Sequence, residues 1–215
     1  MYSIIDGFVL DGSNVSNNNI TIAGPRFIRL KNLDVKNTAN WSGIYTGMTQ
    51  YLEIINCKIH DGAYLPTGFG HGIYVEGSNN LIEGNEIYNL PAYGIHIYSS
   101  TSSPNNNTVR GNSVHDFGLQ RATAAGILVT SNGSGNQVYS NQVFKGKGLN
   151  NDGGVGISVD RTSNSYVNGN TVYNNTWYGI SAQSTTSTAV TNNTLYQNGV
   201  NLITSGSVGI TISGN

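Results

Sequence analysis

The sequence predicts an all-β solenoid, one domain over residues 1–215, built of about eight coils with three short strands each. Three observations predict it. The first is an internal repeat, which decides architecture before any local motif does. The stretch Gly72–Asn89, GIYVEGSNNLIEGNEIYN, holds three strand-like pieces, Ile73–Val75, Leu81–Glu83 and Glu86–Tyr88, and it recurs. Gly-Ile pairs begin at 43, 72, 94, 126, 156 and 179, at steps of 29, 22, 32, 30 and 23 residues. The shortest step leaves no room for a βαβ unit of about 30 residues. The second is alternation: Ile73 and Val75 point one way, Tyr74 and Glu76 the other. One such coil cannot bury its apolar side alone, but stacked coils can. The third is a column of asparagines two residues before the aliphatic residue of the third strand: Asn85, Asn112, Asn141, Asn170, Asn193 and Asn215, with Leu33 and Cys57 in that slot in the first coils. An inward asparagine at a tight bend can bond the coils above and below, whereas an isolated buried amide would cost about 1–3 kcal/mol.

Taken in order, residues 1–24 read as an irregular first coil, with strands near Ile4–Leu10 and Ile20–Ile22. Phe27–Lys36 reads as two strands; Trp41 in the next loop could stack a sugar, but the commoner role of such a residue is to cover the edge of the core. Gly43–Thr46, Leu52–Ile55 and Lys58–His60 make the second coil, and an insertion, Gly62–His71, follows it. After the regular coil and the short turn Leu90–Tyr93 comes Gly94–Tyr98, then a polar loop, Ser99–Asn107, to which no chemistry is assigned. Phe117–Ala125 and Lys145–Val155 are two further insertions at the same corner, and the coils beyond them are lean. In a solenoid, insertions at equivalent positions line one face, often the binding face.

These features resemble the right-handed parallel β-helix proteins, the superfold of pectate lyases and many secreted or phage-borne carbohydrate-active proteins. The resemblance covers about residues 4–215. It implies a right-handed coil, a polysaccharide partner and an extracellular or cell-surface setting. It carries fold more than function.

Composition sets bounds. Asparagine (31 residues) and glycine (28) dominate, as turn-rich β structure requires. Charged residues are 10% of the chain, the formal net charge is −1 and no basic face is evident, so nucleic acid is not an expected partner; no apolar run approaches the length of a membrane span, so a membrane is not expected either. The single cysteine, Cys57, reads as a core residue. With no amphipathic capping helix at either end, we expect a trimmed rod, a fragment, or ends covered by flanking domains or end-to-end self-association.

The insertions should wall a groove floored by the outward residues of the Gly-Ile strands. One floor column reads Tyr45, Tyr74, His96, Leu128, Ser158, Ser181; the next reads Gly47, Glu76, Tyr98, Thr130, Asp160, Gln183. The candidates for catalysis are His96, Tyr74, His71 and Arg121. Those for substrate binding are Glu76, Tyr98, Tyr64, Phe69, Asp152 and Asp160, with His60, Asp61 and His115 where histidine adjoins aspartate on the third strand. The outward column of that strand, Lys36 to Tyr196, otherwise reads as cross-strand packing.

Three readings follow. Removal of the proton α to a uronate carboxyl group, giving β-elimination or C5 epimerisation, needs a base, an acid and a group that neutralises the carboxylate; His96, Tyr74 and Arg121 would fill these roles. The lyase resemblance supports this, although the chain shows no carboxylate column for the calcium many such lyases use, and no Lys or Arg on the floor. Glycoside hydrolysis is the second reading. Gly70-His71-Gly72-Ile73 followed by Gly77-Ser78 resembles a polygalacturonase segment. However, Glu76 and Asp160 lie three coils apart, about 14 Å, beyond the roughly 5–9.5 Å of paired glycosidase carboxyls; Asp152 would have to supply the missing group. The third is a non-catalytic glycan-binding, adhesion or tailspike-like module. A metal site from His60, Asp61 and His71, or a site for Ca2+, stays open, although no carboxylate cluster and no HExxH-type spacing marks either.

Overall fold

The computed structural model describes residues 2–24, 26–63, 69–151 and 153–215. Among these the chain winds into three parallel sheets. The Gly-Ile sheet has eight strands, from Asn18–Ala23 through His71–Val75 to Val200–Ser205, and so counts eight coils. The second sheet has nine strands, from Ser3–Asp6 to Thr211–Ser213, and the third has eight, from Val9–Asp11 to Thr194–Tyr196. Register holds coil to coil: Ile73 pairs with Ile95 and Ile95 with Ile127. The first coil is regular rather than irregular, since Ser3–Asp6 and Val9–Asp11 each pair in step with the coil above. Asn19 and Asn201 occupy the glycine slot in the two end coils, which is why the Gly-Ile marker opens only six of the eight strands of this sheet.

The glycine of that marker answers to close packing rather than to an unusual backbone angle. A Cβ on Gly72 would lie 2.7 Å from the carbonyl oxygen of Gly94; on Gly94, 2.5 Å from that of Gly126; on Gly156, 2.6 Å from that of Gly179. The coils stack too tightly there for any side chain. The next residue fills the core: Ile44, Ile73, Ile95, Ile127, Ile157 and Ile180 are all fully buried.

The bend between the second and third strands is made by a left-handed residue followed by the ladder residue. Gly84, Gly111, Ser140 and Gly169 have φ between 55° and 65°, and Asn85, Asn112, Asn141 and Asn170 come next. Glycine and asparagine tolerate this region, and each left-handed turn aims the following amide inward. The ladder is continuous. Each Nδ2 donates to the Oδ1 one coil on, at 2.9 Å from Asn85 to Asn112, 2.9 Å from Asn112 to Asn141, 3.0 Å from Asn141 to Asn170 and 2.7 Å from Asn193 to Asn215. Cys57 at its foot is buried, and its backbone N–H donates to Asn85 at 2.9 Å.

Two further ladders stand beside it. Asn107 donates to Asn136 at 3.1 Å, with Asn80 joined to Asn107 through its backbone N–H, at the bend before the second strand. Asn175 donates to Asn198 at 2.9 Å after the third strand. Phe117, taken from the sequence as part of a surface insertion, is fully buried in the core instead. On the third sheet, the rings of His60, Tyr88, His115, Phe144, Tyr173 and Tyr196 stack in one column, with successive centroids 4.7–5.2 Å apart.

Candidate functional site

The floor of the groove forms where two consecutive coils put aromatic and imidazole rings on the outer face of the Gly-Ile sheet. Register sets Tyr45, Tyr74, His96 and Leu128 side by side, as alternation requires. The insertions supply the wall. The first returns at Phe69, whose backbone N–H donates to Asn40, and His71 then donates to the Trp41 carbonyl. His71 thereby becomes the first residue of its strand, paired with Ser42 and buried at 3% exposure. The second insertion brings in Arg121, whose carbonyl is tied to the Leu149 N–H at 2.7 Å.

The result is a cavity of about 430 Å³. His71, Tyr74, His96, Tyr98, Phe69 and Arg121 all line it. His96 is half-buried among rings: Tyr74 at 4.9 Å, Tyr93 at 4.8 Å, Tyr98 at 5.3 Å and His71 at 4.9 Å, measured between centroids. The Arg121 guanidinium lies over Phe69 at 5.2 Å and over Tyr93 at 5.5 Å. Cations over aromatic faces are attracted by the ring quadrupole, so these rings hold the guanidinium at the mouth of the cavity.

Electrostatics follow from burial. Desolvation, aided by the Arg121 charge, lowers the His96 pKa to about 3. Desolvation also lowers His71 well below the usual value, with His96 and Arg121 adding to it. Both imidazoles are therefore neutral at pH 7, and among the described residues the Nδ1 of each is buried without a hydrogen-bond partner. Tyr74 moves the other way: burial, then the Glu76 carboxylate beside it, raise its pKa, so the phenol keeps its proton. The same two causes raise Tyr45.

The remaining candidates fall in different places. Glu76 lines a smaller cavity of about 190 Å³ with Gln50 and Ser102. Asp160 is bound by the Arg161 Nε at 2.9 Å and faces the Thr130 hydroxyl at 3.5 Å. His60, Asp61 and His115 lie on the third sheet, not the groove sheet: His60 bridges Asp61 at 2.8 Å and Asp34 at 2.9 Å, and His115 bonds Asp116 at 2.8 Å. Tyr64 and Asp152 lie outside the described residues. Among the described residues no group of three or more His, Cys, Asp or Glu side chains could hold a metal ion, and His60 and Asp61 are not brought together with His71. Among the described residues no helix is long and apolar enough to cross a membrane.

Five lining residues were not singled out from the sequence. Trp41, expected to cover the core edge, is 39% exposed and meets Phe69 at 4.9 Å in the groove. Tyr93 sat in a stretch read as a turn, with only its place just before Gly94 as a signal. Thr130 and Leu128 were on the floor columns but carried no obvious chemistry. Arg161 follows Asp160 directly and turns back across the floor.

No curated protein matches the chain. Solved structures do. The enzymatically active domain of bacteriophage CBA120 tailspike protein 2 is 16% identical, with a TM-score of 0.70 over 92% of this chain and 33% of that one. The A-module of the Azotobacter vinelandii mannuronan C-5 epimerase AlgE6 is 16% identical, with a TM-score of 0.72 over 98% of this chain and 58% of that one. The DFA-IIIase of Arthrobacter chlorophenolicus A6, in complex with GF2, is 18% identical, with a TM-score of 0.72 over 92% of this chain and 51% of that one. This chain thus spans about a third to somewhat over half of these neighbours, and at such identities the likeness is one of fold. The family model described as right handed beta helix region matches residues 5–143 and 42–215, and with the ladder and the three parallel sheets this makes the chain a member of that family.

Proposed function

We propose that the groove binds a uronate-containing polysaccharide and removes the proton α to a carboxyl group, leading to β-elimination or C5 epimerisation. The observation that carries the reading is the pair of neutral imidazoles, His71 and His96, 4.9 Å apart beside the phenol of Tyr74 and below the Arg121 guanidinium. Arg121 pairs with the uronate carboxylate. An imidazole nitrogen, that of His96 in this reading, takes the C5 proton, and the electron pair moves into the carboxylate as an enediolate. Arg121 stabilises that developing charge in a site half shielded from water. In elimination the C4–O bond then breaks, a C4–C5 double bond forms, and the Tyr74 phenol protonates the leaving oxygen. In epimerisation a proton returns to C5 from the opposite face.

A pKa of about 3 would make His96 a weak base in the empty groove. A bound carboxylate offsets the smaller of the two causes, the Arg121 charge, and adds a negative charge beside the imidazole, while the larger cause, burial, remains. The base is therefore strengthened by its own substrate. A mannuronan C-5 epimerase among the structural neighbours is consistent with this chemistry on this fold. A polysaccharide substrate implies work outside the cytoplasm.

The exposed faces of Trp41 and Phe69 favour a second reading, a glycan-binding module without chemistry. Hydrolysis is weaker, because Asp160 is tied to Arg161 and stands three coils from Glu76. The test is incubation with uronate polysaccharides in deuterated buffer. Ultraviolet absorbance from an unsaturated uronate reports elimination, and deuterium at C5 without that absorbance reports epimerisation. Binding with neither signal would leave the module, and reducing ends without absorbance would point to hydrolysis.

A further inference from the structure

Beside the groove lies a second cavity of about 440 Å³, formed by Ser99–Ser103, Ser131, Asn132, Arg161 and Tyr98. Its lining is almost wholly hydroxyl and amide, with one guanidinium and one aromatic ring. Tyr98 and Arg161 line both cavities, so the two are contiguous. The serine loop, which the sequence suggested was a featureless surface segment, is organised. The Ser99 Oγ accepts the backbone N–H groups of Thr101 at 3.2 Å and Ser102 at 3.1 Å, and the Ser99 N–H donates to the Ser131 Oγ at 3.3 Å. Arg161 is also set: its Nε donates to Asp160, which leaves the terminal nitrogens of the fork free of any partner among the described residues.

We propose that this cavity is a second subsite, which holds a further acidic sugar unit of the chain bound in the groove, with Arg161 pairing to that unit's carboxylate. Hydroxyl-rich walls match the alternating donors and acceptors of a sugar ring, and a guanidinium in a fixed fork matches a carboxylate. Tyr98 offers an aromatic face at the junction. Asp160 acts here as a positioning residue that aims Arg161.

The path has a direction. Trp41, Phe69 and Arg121 stand at the corner where the Gly-Ile strands begin, and Ser99, Ser131 and Arg161 just beyond where they end. The glycan therefore crosses the rod along the strands, from the insertion wall to the serine loop. The assignment rests on the reading of the groove as a uronate site, and the test separates the two.

The experiment is a titration, followed by calorimetry and by intrinsic fluorescence, to which Trp41 and Trp177 both contribute, with size-fractionated oligogalacturonates and oligomannuronates from dimer upward, and neutral xylo-oligosaccharides of the same lengths. In the wild type, affinity for the acidic series should step up once the oligomer is long enough to span both cavities. Arg161→Gln should remove that step, weakening the longer acidic oligomers by about ten- to a hundredfold, and Arg161→Lys should restore part of it. Arg161 is exposed on its loop, so the variants should melt with the wild type. A step of equal size in Arg161→Gln overturns the subsite and leaves the groove reading standing. An equal step for the neutral series overturns the acidic character of the unit. Absence of binding to every acidic oligomer by the wild type overturns the groove reading, and the subsite with it.

Discussion

The rings of His71 and His96 meet edge to face, centroids 4.9 Å apart at an interplanar angle of 78°, one coil after the other on the same sheet. The contact puts two histidines together in a cluster whose other rings are Tyr74, Tyr93, Tyr98, Phe69 and Trp41, with the Arg121 guanidinium over it. Each imidazole is too poorly solvated to charge at neutral pH, and each is bordered by a group that discourages charging further. A site of this kind waits for an anion.

Substitution at His96 separates chemistry from packing. The ring is stacked on Tyr74, Tyr93 and Tyr98, and aromatic pairs contribute about 0.5–1.5 kcal/mol each beyond area burial. His96→Ala should therefore lower stability by about 1–3 kcal/mol as well as abolish turnover. His96→Phe keeps a ring in the stack. It should retain the melting temperature within a few degrees while losing about 10²–10⁴-fold in rate, the usual contribution of a general base. Turnover by His96→Phe near the wild-type rate would remove His96 from the chemistry.

The same residue predicts the acid response of the fold. The His96 pKa is near 6.5 in the unfolded chain and about 3 in the folded one. Between those values the unfolded chain binds a proton that the folded chain does not. Stability is therefore full above pH 6.5 and falls as the pH drops toward 3, by up to about 1.4 kcal/mol per pH unit for this one group. His71 is shifted in the same direction and adds to the fall. Melting curves across that window should be less steep in pH for His96→Phe than for the wild type. Arg121→Gln should raise the His96 pKa, readable as a shift of the imidazole resonances, because one of the two causes of the depression is gone.

Gly94→Ala tests the packing of the coils. The added methyl would meet the Gly126 carbonyl oxygen at 2.5 Å, and the backbone cannot move without parting two coils. We expect a loss of at least about 1–3 kcal/mol, the usual cost of overpacking. Gly169→Ala is the control. Its Cβ meets nothing within 4 Å, and its φ of 62° makes the cost one of backbone conformation alone. Equal midpoints in denaturant for Gly94→Ala and the wild type would show that the stack yields there.

The repeat made most of the fold legible, because each coil obeys the same local rules: a glycine where coils touch, an isoleucine beneath it, an amide at the bend. Tyr74, His96 and Tyr98 were legible for the same reason, since alternation alone puts them outward. What escaped depends on where loops go. Trp41 and Tyr93 gain their place only when the insertions fold back over the sheet, and Arg161 only because the chain turns after Asp160. Phe117 reads as loop because it follows a strand, yet the bend drives it into the core. The second asparagine ladder could have been found: Asn80, Asn107 and Asn136 each stand immediately before a second-sheet strand, the spacing logic that revealed the first.

The ladder itself makes the last prediction. Asn141 is 2% exposed, and its amide is fully engaged: Nδ2 donates to the carbonyls of Val109 and Tyr139 and to the Asn170 Oδ1, each at 3.0 Å, while its own Oδ1 accepts both the backbone N–H and the Nδ2 of Asn112. Asn141→Ala strands donors and acceptors on both neighbouring coils at once, in a place water cannot reach, and should cost about 1–3 kcal/mol or more. Asn85 is the first asparagine of the column: its Oδ1 accepts only the backbone N–H of Cys57, which brings no amide of its own, and its Nδ2 donates to the Ile54 carbonyl and the Asn112 Oδ1. Asn85→Ala should cost less than Asn141→Ala. Denaturant midpoints for the two variants measure the difference directly. Equal shifts would mean that the amides contribute one by one rather than as a column, since only a column makes an interior member worth more than its end.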